Sequence, residues 1–207
     1  NVFCEKAVTD IYTRMCELAK KPVEMMLLPS VVGVSAVLRY EKGILVTAAL
    51  LGDGVYGENI MRHATHMPQV PKRLLSFLRD IPVITIHGVI TISADRYESL
   101  LNSGRNYKTL RKAVIMMLRA HNSDETPPSH FEFIPHGLAC ESSDYRDELR
   151  KMNIALDYLK DCGFTRCDSP TVVTDVREAI SVSNTIFSWT AMKSCHYQYD
   201  GVLYVPN

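Results

Sequence analysis

The chain has 207 residues, enough for one well-buried domain or one domain with a small appendage. Apolar residues make up 46% and charged residues 22%, a balance that excludes a disordered chain, and a formal net charge of zero implies no whole-molecule attraction to nucleic acid. The longest apolar runs are strand-sized and broken by Arg, Lys or Gly, so no membrane span is readable, and the first residues lack the basic-then-apolar pattern of a signal segment.

In chain order, Val8, Ile11, Tyr12, Met15 and Leu18 recur at the spacing of one helical face, predicting a helix over 8–18. Strands are expected over 31–40 and 44–51, joined into a hairpin by Glu41-Lys42-Gly43. A short helix over 59–66 is stopped by Pro68 and Pro71, because proline lacks an amide donor and disfavours helix before it. The segment 83–92 alternates cleanly as a strand, and Ser93-Ala94-Asp95 starts a helix over 96–101. A longer helix is expected over 107–120, with Leu110, Val114, Met117 and Leu118 on one side. Residues 121–129 are polar, contain two prolines and read as an exposed loop. Then come a strand over 131–138 and a helix over 144–162 closed by Gly163. A short strand over 171–173, a helix over 176–187 capped by Thr174-Asp175, and a strand over 202–205 complete the list. Antiparallel strands with helices packed around them make an α+β domain.

Six cysteines, Cys4, Cys16, Cys140, Cys162, Cys167 and Cys195, show no CxxC pairing. Cys162, Cys167 and His196 can be drawn as metal ligands, but their spacing fits no common zinc pattern, so free thiols in a reducing compartment are expected. His63 and His66 lie near Arg62 on the short helix, and nothing else supports a metal there. The expectation is therefore no metal.

Two stretches carry more information than any periodicity. Pro29-Ser30-Val31-Val32-Gly33 precedes the first hairpin strand, and Gly52-Asp53-Gly54-Val55-Tyr56-Gly57-Glu58 follows the second. Further along stand Val83 to Ile92, Asn102 to Arg105, Phe131 to Gly137, and Tyr199-Asp200-Gly201-Val202. In order and spacing these resemble the adenylation domain of NAD-dependent DNA ligases, with its Pro-Lys-x-Asp-Gly, Arg-Gly-Asp-Gly-x-x-Gly-Glu, Val-Arg-Gly-Glu-Val, Asn-Pro-Arg-Asn, Phe-Phe-x-Tyr-Gly and Ile-Asp-Gly-Val segments. The resemblance runs nearly end to end. It implies one degenerate nucleotidyltransferase domain over 1–207, alone or as a fragment of a longer protein, of the ligase-type, ATP-grasp-like fold with mixed, mainly antiparallel sheets. The family's small NAD-recognising domain, OB-fold and helix-hairpin-helix parts have no counterpart in these residues.

The chemistry implied by the resemblance departs from the family at six positions. A covalent adenylyl intermediate needs an amine nucleophile and cations that steady the phosphates. Ser30 stands in the place of the motif lysine, Val32 of the aspartate beside it, and Leu28 of the acidic residue two places earlier. Leu51 stands for the arginine before Gly-Asp-Gly, Val89 for the middle-strand glutamate, and Val205 or its neighbour for the C-terminal lysine. Five of these six are aliphatic, which reads as an old pocket now filled as core, or else as an apolar groove occupied by a partner segment. Gly33, Gly52, Gly54, Gly57 and Gly201 are kept with Asp53, Glu58 and Asp200. The glycines suit tight turns, and the carboxylates suit either loop amides or residual ligand contact.

The expected function is thus a catalytically inactive ligase-like domain, without cofactor, serving as a structural or protein-interaction module with a protein partner in DNA replication or repair. Two alternatives stay open. One is an active ligase fragment in which Ser30 or Lys42 takes the adenylyl group. The other is a non-catalytic DNA-binding module that uses Arg105, Lys108, Arg111, Lys112 and Arg119, a basic run without acidic residues partly on one helix face. Weak DNA contact there competes with an ordinary solvated face. No membrane is implicated, the expected setting is cytoplasm or nucleus, and divergence of this kind leans toward a viral or phage source.

Overall fold

The computed structural model describes residues 5–52, 57–120, 128–141, 149, 151–165, 170–190 and 195–207. Its elements, in order, are α1 (Glu5–Ala19), β1 (Met25–Val31), β2 (Val34–Glu41), β3 (Ile44–Leu50), α2 (Met61–Ala64), β4 (Val83–Thr91), α3 (Ala94–Asn102), α4 (Leu110–Arg119), β5 (Glu132–Cys140), α5 (Met152–Asp161), β6 (Thr171–Val173), α6 (Val176–Thr190) and β7 (Tyr199–Pro206). The strands form two antiparallel sheets, of order β6-β1-β7 and β3-β2-β4-β5. The α+β architecture expected from the sequence is present.

Alternation builds the larger sheet. Along β4, Ile84, Ile86 and Ile90 point into the main core, while Val83, Thr85, His87 and Val89 lie half-buried on the opposite face. The β2–β3 hairpin turns through Lys42 (φ 48°) and Gly43 (φ 73°), the two left-handed residues that a tight two-residue turn requires. Helix α4 covers the core face with Leu110, Ala113, Val114, Met117 and Leu118, all buried. Each large side chain among them contributes about 1.5–3 kcal/mol by leaving water. Thr109 caps this helix, its hydroxyl accepting from the Lys112 amide at 3.2 Å. Ser93 does the same for α3 through the Arg96 amide at 3.2 Å, and the Asp175 carboxylate caps α6 through the amides of Arg177 and Glu178.

The smaller sheet forms a second core with α1 and α6, in which Val8, Met25, Leu27, Val173, Ala179 and Ile186 are buried. Gly163 (φ 101°) closes α5 in the left-handed conformation expected of it.

Two expectations need correction, and one strand was missed. The strand expected over 31–40 begins at Val34, because Val32 and Gly33 carry the chain from one sheet to the other. The run 25–31 is itself a strand, hidden in the sequence by Pro29. Its neighbour β6 pairs only with Met25, Met26 and Leu27, so on that side Pro29 faces no strand that needs its amide. The helix expected over 144–162 starts at Met152, since Lys151 is extended (φ −89°, ψ 119°), and residues 144–148 lie outside the described residues. Residues 121–127 of the expected loop also lie outside them.

Candidate functional site

The crossing from β1 to β2 builds the site. Val32 donates its amide to the Gln198 carbonyl, just before β7, at 2.8 Å, and its own carbonyl accepts from the Thr91 hydroxyl, at the end of β4, at 2.7 Å. These bonds tie the two sheets at one corner, where Val31, Ile134 and Tyr197 form a small buried cluster. Gly33 is required there by close approach. A Cβ at this position would lie 2.3 Å from Val89 Cγ1 and 2.4 Å from the Ile90 carbonyl oxygen.

Beside this corner opens a cleft of about 270 Å³. Leu28 and Ser30 line it from β1, Ser35 from β2, Val89 from β4, Ile134 and His136 from β5, and Arg111 from α4. A neighbouring recess of about 320 Å³ shares Gly33, Ser35 and Arg111 and adds Leu51, Ile115 and Arg119. Arg111 therefore stands between the two. Residues 111, 115 and 119 recur four apart, so helical geometry places them on one stripe of α4.

The two arginines of this stripe each meet a carboxylate. Arg111 Nη2 lies 3.8 Å from Asp200 Oδ2 on β7, and Arg119 Nε lies 2.8 Å from Glu58 Oε2, beyond the end of β3. Ser30 is half-buried and pairs with Gly201 at the point where the β1–β7 ladder bulges. His136 sits at the bulge of β5, between the residues paired with Gly88 and His87. Removal from water holds its imidazole below the usual histidine range, and His87 adds to that effect. The cleft thus offers a neutral imidazole, the hydroxyls of Ser30 and Ser35, and one guanidinium. That set suits hydrogen bonding and charge pairing with an anionic group.

The aliphatic filling expected from the sequence is corrected by this geometry. Leu28 is core (1% exposed), but Val32 and Val89 are only half-buried, Leu51 is 42% exposed, and the cleft stays open. Val205 pairs with Met26 and packs half-buried against the main core. Of the basic run, Arg111 and Arg119 come together at the recess beside the cleft, whereas Lys108 and Lys112 are exposed beside them. Arg105 stands apart on the α3–α4 connection, half-buried, its Nη1 3.4 Å from the Tyr107 hydroxyl.

His63 is a packing residue, its ring edge-on to Phe131 with centroids 5.8 Å apart, and burial lowers its pKa. His66 Nδ1 is 2.8 Å from the Arg62 carbonyl oxygen. Asp53, Gly54, Cys4 and Cys167 lie outside the described residues. Cys162 is buried, which pushes its thiol up, and Cys16, Cys140, Cys162 and Cys195 form no disulfide among the described residues. Among the described residues no group of three or more His, Cys, Asp and Glu is placed to hold a metal. Nor is any described helix long and apolar enough to cross a membrane.

The sequence model of the NAD-dependent DNA ligase adenylation domain matches residues 1–207. The chain belongs to that family. Relatives include a DNA ligase of Bartonella tribocorum, 27% identical over 100% of this chain and 29% of its own length. A DNA ligase of Campylobacter concisus is 34% identical over 68% of this chain and 21% of its own length. The chain thus spans less than a third of the length of these relatives. Among solved structures, the ATP-dependent DNA ligase from bacteriophage T7 in complex with ATP overlays with a TM-score of 0.41 and 9% identity, covering 99% of this chain and 66% of that one. That likeness is too loose to carry residue correspondences.

Membership overturns the expectation that the chain is no enzyme. The matched domain is the adenylation domain of an enzyme family, and the relatives are named DNA ligase. Losses read from motif positions weigh only the residues that align with a motif. They pass over Ser35 and His136, which the fold brings into the same cleft. The signal for His136 lay in the Phe131 to Gly137 strand, but the bulge that places it is not written in any motif. Tested against NAD, the cofactor in the family's name, the described residues of the lining supply Arg111, His136, Ser30 and Ser35, with no amine among them. The covalent step implied by the resemblance needs an amine, so this donor set does not fit it.

Proposed function

We propose that this adenylation-family domain works inside the cell in DNA replication or repair, seating the phosphate backbone of DNA along the α4 side of the cleft and meeting protein partners of the same assembly. One observation carries the reading: Arg111 and Arg119 share a stripe of α4 that lines the recess beside the cleft, with Arg111 reaching both and Lys108 and Lys112 exposed next to it. The helix itself contains no carboxylate. An ordinary solvated face would scatter its charges toward bulk water, whereas these arginines face a concave surface in a family of DNA-joining enzymes. Because the net charge of the chain is zero, attraction to DNA has to come from this local arrangement.

The reading is tested by titrating a labelled nicked duplex with the chain at rising salt. Contacts to phosphates release counterions, so binding indifferent to sequence is expected, with a slope of about −3 in log affinity against log salt. Between 50 and 200 mM salt this corresponds to a loss of roughly sixty-fold. Affinity unchanged over that range contradicts the proposal.

A further inference from the structure

We propose that Glu58 and Asp200 form a built-in brake on phosphate binding, each holding one cleft arginine until a phosphate displaces it. The inference rests on the DNA reading above and adds its regulation. The two ion pairs join distant parts of the chain: Glu58 and Arg119 are 61 residues apart in sequence and meet at 2.8 Å. The Arg111–Asp200 pair, at 3.8 Å, links α4 to the smaller sheet.

Both carboxylates are aimed by backbone that is itself fixed. The Glu58 carbonyl accepts from the Leu50 amide at 2.9 Å, and neighbouring Asn59 bridges to Ala49 on β3. Asp200 sits on β7 next to Gly201, which pairs with Ser30. The carboxylates thus reach α4 from two different elements, Asp200 from β7 and Glu58 from the segment after β3. A carboxylate offers a guanidinium the same two-oxygen face that a phosphate does, so the two compete for one site.

All four side chains are partly open to water, with 59% and 43% exposure in the Arg111–Asp200 pair and 63% and 40% in the Arg119–Glu58 pair. Exchange with an incoming phosphate therefore requires no unfolding. It also sets the scale of the brake, since exposed pairs are weak: releasing each arginine should tighten binding about two- to fivefold. A polyanion that engages several cations at once overcomes such a brake, whereas a single phosphate gains little. Extended nucleic acid is favoured over small phosphate compounds.

The test is a double-mutant cycle read by nicked-duplex binding at fixed salt. Glu58→Gln and Asp200→Asn keep the shape of each side chain and remove its charge. Each should tighten binding about two- to fivefold, and the two gains should multiply. The gain from Glu58→Gln should vanish in an Arg119→Ala background, and that from Asp200→Asn in an Arg111→Ala background. If each gain persists without its arginine, simple loss of negative charge explains it and the brake is refuted. Wild-type binding with no gain in either variant refutes the brake and leaves the DNA reading standing. No binding by any variant removes both.

Discussion

Replacing Gly33 with alanine is expected to cost about 3 kcal/mol or more of stability, the upper part of the range for overpacked sites. The added methyl would meet Val89 Cγ1 at 2.3 Å and the Ile90 carbonyl oxygen at 2.4 Å. The side-chain carbon can rotate away. The carbonyl cannot, because β2 and β4 are paired from Val34↔Ile90 onward and Thr91 is bonded back to Val32. Relief therefore requires the corner between the sheets to open. For a chain of this size the loss corresponds to a melting temperature lower by about 6–12 °C. Thermal unfolding followed by circular dichroism checks it. A drop of only a degree or two would mean that the sheets are not held as closely at this corner as described.

Reversing two cations of α4, with Arg111→Glu and Lys112→Glu together, is expected to weaken nicked-duplex binding about a hundredfold at low salt. The salt slope should become shallower by about two, one for each phosphate that the helix no longer neutralises. Both side chains are exposed, and the buried face of α4 is untouched, so the fold is expected to survive. Equal affinity in the double variant and the wild type would place any DNA contact elsewhere.

Much of the fold was legible because local pattern and tertiary environment agree. The core face of α4 follows from helical spacing, and β4 alternates because one of its faces meets a core and the other is only half-buried. The strand over 25–31 was not legible, because Pro29 argues against a strand in general, and only the short reach of β6 makes it harmless here. Nor does the apolar run through Val31, Val32 and Val34 announce a change of sheet. Gly33 carried that signal, and its meaning depends on how near β4 comes.

The candidate site was legible in part. Leu28, Ser30, Val89 and Arg111 were named from sequence, and all four line one cleft. The inference that aliphatic residues had closed the cleft failed for Leu51, which is 42% exposed, because side-chain type alone does not say whether two sheets close upon each other. His136 depends on a register shift between His87 and Gly88, a property of strand pairing that one strand's sequence does not contain. The step from missing motif residues to an absent activity was the weakest, and membership in the ligase adenylation family overturned it.

The central claim, that DNA lies along the α4 side of the cleft, is tested most directly by lysine footprinting with and without a nicked duplex. Lys108 and Lys112 are exposed beside the cleft arginines, while Lys20 and Lys21 are exposed just past the core-packed helix α1. Acetylation read by mass spectrometry should slow at Lys108 and Lys112 when DNA is added and stay unchanged at Lys20 and Lys21. Protection confined to Lys20 and Lys21, or equal at all four positions, would contradict the account.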